Sequence, residues 1–171
     1  MPTILGLSLP AFTTFHVALS VIGIAAGLVL VRGFLGSHPM NAVTMLFLVT
    51  TALTSLTGFL FPFHGVTPGI VIGVLSLILL LAAVVARYAF HVAGAWRWIY
   101  VASSITALWF NVFIFVVQSF EKVPFLHALD PTASGLPFKF TQLAMLLIFA
   151  WLGVRSVRSY RPADSIIPAT A

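Results

Sequence analysis

The chain contains no cysteine. That absence excludes disulfides, thiolate metal sites, iron–sulfur clusters and cysteine nucleophiles together. Charge is almost as scarce. Lys, Arg, Asp and Glu make up 6% of the 171 residues, against about 25% in a soluble domain. So little charge cannot cover a surface that faces water. Only three residues are acidic. None lies inside a long apolar run, so no series of carboxylates crosses the hydrocarbon to carry protons or cations. Neither Gly-x-Ser-x-Gly nor His-Glu-x-x-His occurs, which removes the compact hydrolase and zinc-protease signatures. Eight Lys and Arg give a formal net charge of +5. They stand at the ends of apolar runs, not in a stripe with interleaved aromatics, so nucleic acid is not an expected partner.

What the chain does have is apolar length. Hydrophobic residues are 61% of the total and gather in five stretches, 9–31, 42–61, 68–87, 98–120 and 138–154. Each is close to the roughly 20 residues an α-helix needs to cross hydrocarbon. The expected fold is all-α: one integral membrane bundle of five spanning helices over 1–171, with the lipid bilayer as its solvent. Residues 1–8 carry no Lys or Arg, so the first stretch reads as a retained helix and not a cleaved signal. Pro39, Pro62, Pro68, Pro124, Pro131 and Pro137 fall in the breaks, where a residue without a backbone donor does least harm. Gly23 with Gly27, and Gly65 with Gly69 and Gly73, give the small-residue spacing that lets helices approach closely in lipid. The first and third helices are therefore expected to pack tightly, or else to offer a homodimer face. There is no internal repeat, and five helices do not divide into inverted halves, which counts against a repeat-built transporter.

Charge sets the expected orientation. With the N-terminus outside, Arg32, Arg87, Arg97, Arg155, Arg158 and Arg161 lie inside, and Lys122 and Lys139 lie outside. The excess of inner basic residues favours an outer N-terminus and a cytoplasmic C-terminus. Trp96, Trp98, Tyr100 and Tyr88 surround Arg97 and Arg87, the pattern of an aromatic belt with snorkelling arginines. The break at 121–137 is the longest outer loop. Its apolar residues Val123, Phe125, Leu126 and Leu129 fit a short interfacial helix or a lid.

Polar groups in hydrocarbon are costly, so their placement is informative. In this orientation they gather in the outer half. His16 lies about 10 Å inside the outer boundary. The second stretch carries Thr50, Thr51, Thr54, Ser55 and Thr57. Asn111 and Gln118 stand seven residues apart on one helix face. A ligand pocket is expected around His16, Thr54, Asn111 and Gln118. His64, His127, Glu121 and Asp130 ring its mouth and, with His16, supply the imidazole and carboxylate groups that hold a divalent metal. Haem b is a second candidate occupant, although His16 and His64 differ in depth by about 10 Å. Each element also has a structural reading. Threonines in membrane helices bond back to the preceding turn, Asn and Gln join helices, and interfacial charges need no ligand.

The segments 57–65 (TGFLFPFHG), 86–100 (ARYAFHVAGAWRWIY), 110–113 (FNVF) and 117–124 (VQSFEKVP) resemble a group of small bacterial inner-membrane proteins of unassigned function. That resemblance implies a multi-pass protein of the bacterial inner (plasma) membrane and brings no functional residues with it. Two functions follow from the residues. One is binding of a small ligand, metal or haem in an outward-facing pocket, with an enzyme or transporter ranked behind it. The other is an accessory or structural subunit, packed against other membrane subunits, with no site of its own.

Overall fold

Backbone N–H and C=O groups in lipid must be satisfied within their own segment, which makes each apolar stretch a helix. The computed structural model describes residues 3–62, 65 and 67–161. A two-strand hairpin, β1 (Thr3–Ile4) and β2 (Leu7–Ser8), precedes six helices. These are α1 (Leu9–Gly36), α2 (Asn41–Gly58), α3 (Pro68–Val84), α4 (Trp96–Lys122), α5 (Pro124–Leu129) and α6 (Leu136–Ser159). Five of them, all except α5, are long and apolar enough to cross a membrane, α3 being continued by the π-helical turn Val85–Ala89. The chain is thus a multi-pass helical bundle.

The helix ends depart from the apolar boundaries for local reasons. α1 runs past residue 31 because Phe34 continues its buried face. It stops where Ser37 turns left-handed (φ 57°) and its N–H closes on Gly33 and Phe34. α2 stops at Gly58 and not at 61. There Phe59 and Leu60 donate to the carbonyls of Leu56 and Thr57, three residues back, tightening the last turn ahead of Pro62. α3 opens on Pro68, with the Thr67 hydroxyl accepting the N–H of Ile70 at 3.4 Å.

α4 is the central helix: half of its apolar span is buried, against 11% for α6. It packs on α1, α3 and α6, while α2 joins α1 to α3. The α1 glycines are used inside the chain. A Cβ on Gly27 would stand 2.5 Å from the Leu108 side chain, and one on Gly23 would meet Thr51, Thr50 and Asn111 at 3.0 to 3.2 Å. In the second series only Gly73 is crowded, by the Phe59 ring at 3.0 Å. Gly65 and Gly69 sit at the turn, where no helix approaches closely. Leu81, Leu147, Trp151 and other large apolar residues cover the outside, as lipid contact requires.

The end opposite the N-terminus is closed. Tyr100 is wholly buried, which corrects its assignment to the headgroup belt. Its hydroxyl meets Thr44 at 3.0 Å, and its ring lies edge-on to Phe34. Arg87 donates to the Tyr100 hydroxyl at 3.3 Å and to Asn41 Oδ1. Arg97 donates to the carbonyls of Val157 and Tyr160, the last acceptors of α6, where a cation also complements the helix dipole. Both arginines bind the bundle to itself.

Candidate functional site: a cavity among four helices

At the N-terminal end the four helices α1 to α4 part around a cavity of about 760 Å³. Pockets that hold small molecules run from about 300 to 1,000 Å³. From α1 it takes Leu9, Thr13, His16, Val17 and Ser20, spaced as one helix face. From α4 it takes Asn111, Ile114, Phe115, Gln118 and Lys122, again one face. α2 adds Thr51, Thr54 and Ser55, and α3 adds Ile70, Gly73 and Ser76. His16, Thr54, Asn111 and Gln118, the residues the sequence points to, all line this one cavity.

Helix rise gives the depth. Leu9 to Ser20 and Lys122 to Asn111 each span eleven residues, about 16 Å at 1.5 Å per residue. The floor therefore lies near the middle of a hydrocarbon core about 30 Å thick.

The floor is a hydrogen-bonded knot. The Ser20 hydroxyl donates to Asn111 Oδ1 at 2.7 Å, and Asn111 Nδ2 donates back to the Ser20 carbonyl at 3.4 Å. Asn111 is buried there, so it does join helices, and it borders the cavity at the same time. The Thr51 hydroxyl is buried without a partner among the described residues.

The walls are less polar than their composition. Thr13 donates to the Leu9 carbonyl at 2.8 Å, Thr54 to Thr50 at 2.8 Å, Ser55 to Thr51 at 3.1 Å and Ser119 to Phe115 at 2.7 Å. Each hydroxyl proton is spent on its own helix. What faces the cavity is chiefly carbon from Val17, Phe59, Ile70, Ile114 and Phe115.

His16 sits between floor and mouth. Its Nδ1 lies 2.8 Å from Thr57 Oγ1, and Thr57 Oγ1 lies 2.7 Å from the Leu53 carbonyl. A hydroxyl has one proton. With that proton on Leu53, Nδ1 is the donor to Thr57 and Nε2 carries the lone pair. Phe61 packs edge-on against the imidazole, 5.2 Å between centroids, and touches Phe12 at 5.1 Å. These contacts seal α1 to α2 on one side of the cavity.

At the mouth, Gln118 and Lys122 are exposed. Neither has a hydrogen-bond or ion-pair partner among the described residues. No Asp or Glu lines the cavity among those residues, so Lys122 is its one formally charged side chain.

The metal-ligand set fares differently. His64 lies outside the described residues. Glu121 and His127 are exposed. Among the described residues no three His, Asp or Glu side chains come together in a group that could hold a metal. Asp130 is committed elsewhere. Its carboxylate accepts the N–H groups of Gly135 at 2.7 Å and Ser134 at 3.4 Å and the Thr132 hydroxyl at 3.2 Å. A Cβ on Gly135 would come within 2.8 Å of Asp130 Oδ2. Desolvation pushes the Asp130 pKa up, but the hydrogen bonds from Ser134, Thr132, Gly135 and Phe138 outweigh it and hold the carboxyl below its ordinary value. This carboxylate organises the loop that starts α6. α5, formed by the expected short loop helix, packs on α4. It buries none of its residues and exposes Phe125 and Leu129, as a helix lying in the interface does.

Ser20, Ser76 and Lys122 line the cavity without having been selected from the sequence. Ser20 and Lys122 could have been found by stepping four residues along the faces of His16 and Gln118. Ser76 stands one turn beyond Gly73 on the same face of α3.

No family model matches the chain, and neither a curated protein nor a solved structure matches it.

Proposed function

We propose that this protein is a multi-pass binding protein of a bacterial inner membrane, and that the α1–α4 cavity receives a small amphipathic ligand from the outer side. The observation that carries the reading is the single cavity shared by His16, Thr54, Asn111 and Gln118. Side chains from three helices converge there, from Asn111 at the floor to Gln118 at the mouth, around a space far larger than packed helices leave. The orientation rests on the charge count, which puts Lys122 outside and the arginines inside. A ligand suits the cavity better than a metal does. His16 is the one imidazole on its described wall, and the Asp130 carboxylate is held by its own loop. Nothing in the geometry favours an accessory subunit in particular, since an exposed α6 is equally the state of a helix facing lipid.

Native mass spectrometry of the full chain, released from its membrane in a mild detergent, tests the reading. The wild type is expected to carry a non-covalent adduct of defined mass. Thr54→Trp, which fills the cavity, and Gln118→Trp, at its exposed mouth, are expected to lose it while circular dichroism stays unchanged. Equal adducts on all three folded proteins, or none on the wild type, would contradict a ligand cavity.

A further inference from the structure

The distribution of free donors inside the cavity defines the head of its occupant. Ser20 and Asn111 at the floor are spent on each other. The wall hydroxyls of Thr13, Thr54 and Ser55 are spent on their helix backbones. Two neutral hydroxyls, Thr51 and Ser76, lack partners deeper in the cavity, and Lys122 and Gln118 are the ammonium and amide left over, both at the mouth and without partners among the described residues. We infer that the cavity holds a single-chain amphiphile with an anionic head, its head on Lys122 and Gln118 and its chain running inward along Val17, Ile114 and Phe115.

Three physical arguments support this occupant, and all rest on the ligand-binding reading above. A lone ammonium with no carboxylate on the same cavity wall prefers a negative partner, and charge-assisted hydrogen bonds are the stronger kind. Lys122 ends a helix that spans the membrane, so the head stays at headgroup depth and keeps its hydration. An anionic head driven to the floor would instead be stripped of water, with only the neutral hydroxyls of Thr51 and Ser76 free to bond it. The cavity runs about 16 Å from Lys122 to Asn111 and its lining is chiefly carbon, which takes one chain lengthwise. The head's chemistry is an anion, carboxylate or phosphate, and a free fatty acid and a lysophospholipid share it.

The cysteine-free sequence supplies the test. In the full chain, reconstituted in phosphatidylcholine nanodiscs, Thr54→Cys places one thiol on the cavity wall, and its rate of modification by a small water-soluble thiol reagent reads occupancy. Lauroyl-lysophosphatidylglycerol is expected to slow that rate at least tenfold more than lauroyl-lysophosphatidylcholine of equal chain length. Lys122→Gln is expected to abolish the difference, and Lys122→Arg to keep it. Lauric acid separates the sources. Protection by laurate alone assigns a carboxylate head, and protection by the lysophosphatidylglycerol alone a phosphate; either supports the inference. Equal protection by the anionic and zwitterionic lipids would overturn the anionic head and leave a ligand cavity standing, as would stronger protection by the uncharged decylubiquinone. No protection by any amphiphile, on a protein that also carries no adduct, would remove the ligand-binding reading itself.

Discussion

His16 Nδ1 and Thr57 Oγ1 lie 2.8 Å apart, and this pair joins α1 to α2 along one wall of the cavity. It is the only hydrogen bond between these two side chains' helices at that depth among the described residues, and Thr57 is buried. Thr57→Val keeps the shape and removes the oxygen. It is expected to lower stability by about 1 kcal/mol, within the range for interhelical hydrogen bonds in membranes. A double-mutant cycle with His16→Phe, read by thermal unfolding in detergent, should show non-additivity. Additive losses would mean that the pair contributes nothing as a pair.

Gly27 and Leu108 set the α1–α4 distance. Gly27→Val forces carbon into a space where even a Cβ stands 2.5 Å from Leu108, and overpacking of this kind costs about 1–3 kcal/mol. Gly27→Ala combined with Leu108→Ala should recover part of that loss. Gly69→Ala, with only Thr67 Oγ1 nearby at 3.7 Å, should fall within about 0.5 kcal/mol of wild type. Thermal unfolding of the three variants checks the ranking.

Arg97 holds two carbonyls at the end of α6. Arg97→Lys keeps the charge but loses the planar donor geometry. Hydrogen exchange in the last turn of α6 should speed up in Arg97→Lys and further in Arg97→Gln. Unchanged exchange would mean that the turn holds without the arginine.

The Asp130 loop should respond to acid. The folded carboxyl titrates below its ordinary value, so the folded state holds this charge more firmly than the unfolded chain does. Its contribution is complete above the unfolded pKa of about 3.9. It is lost as pH falls through the lower folded value. Protection of the Gly135 amide should therefore persist at pH 5 and fail well below pH 4, and Asp130→Ala, which has no side-chain acceptor, should lack protection at both.

Much of this architecture was legible in the residues. Apolar length alone located five spanning helices, because lipid leaves a backbone no other solution. His16, Thr54, Asn111 and Gln118 line one cavity because helical periodicity puts them on inward faces, but not at one depth: Asn111 is at the floor and Gln118 at the mouth. Asp130 reads in the sequence as a mouth ligand, yet its carboxylate is held by the Thr132 hydroxyl and by the N–H groups of Ser134 and Gly135, and the backbone donors leave no side-chain signature. Tyr100 looked like a belt residue beside Arg97. Its burial depends on Phe34 and Thr44, which arrive from two other helices. The spent hydroxyl protons, which turn a polar-looking wall into an apolar one, require coordinates to see.

The most direct test of the central claim is the sidedness of Thr54→Cys. A membrane-impermeant thiol reagent is applied to intact spheroplasts and, separately, to inverted membrane vesicles. The cavity opens at the end where α1 begins and α4 ends, and the charge count places that end outside. Modification is therefore expected in spheroplasts and not in inverted vesicles, with Gln118→Trp slowing it. Modification only from the cytoplasmic side, or from neither, would contradict an outward-facing cavity.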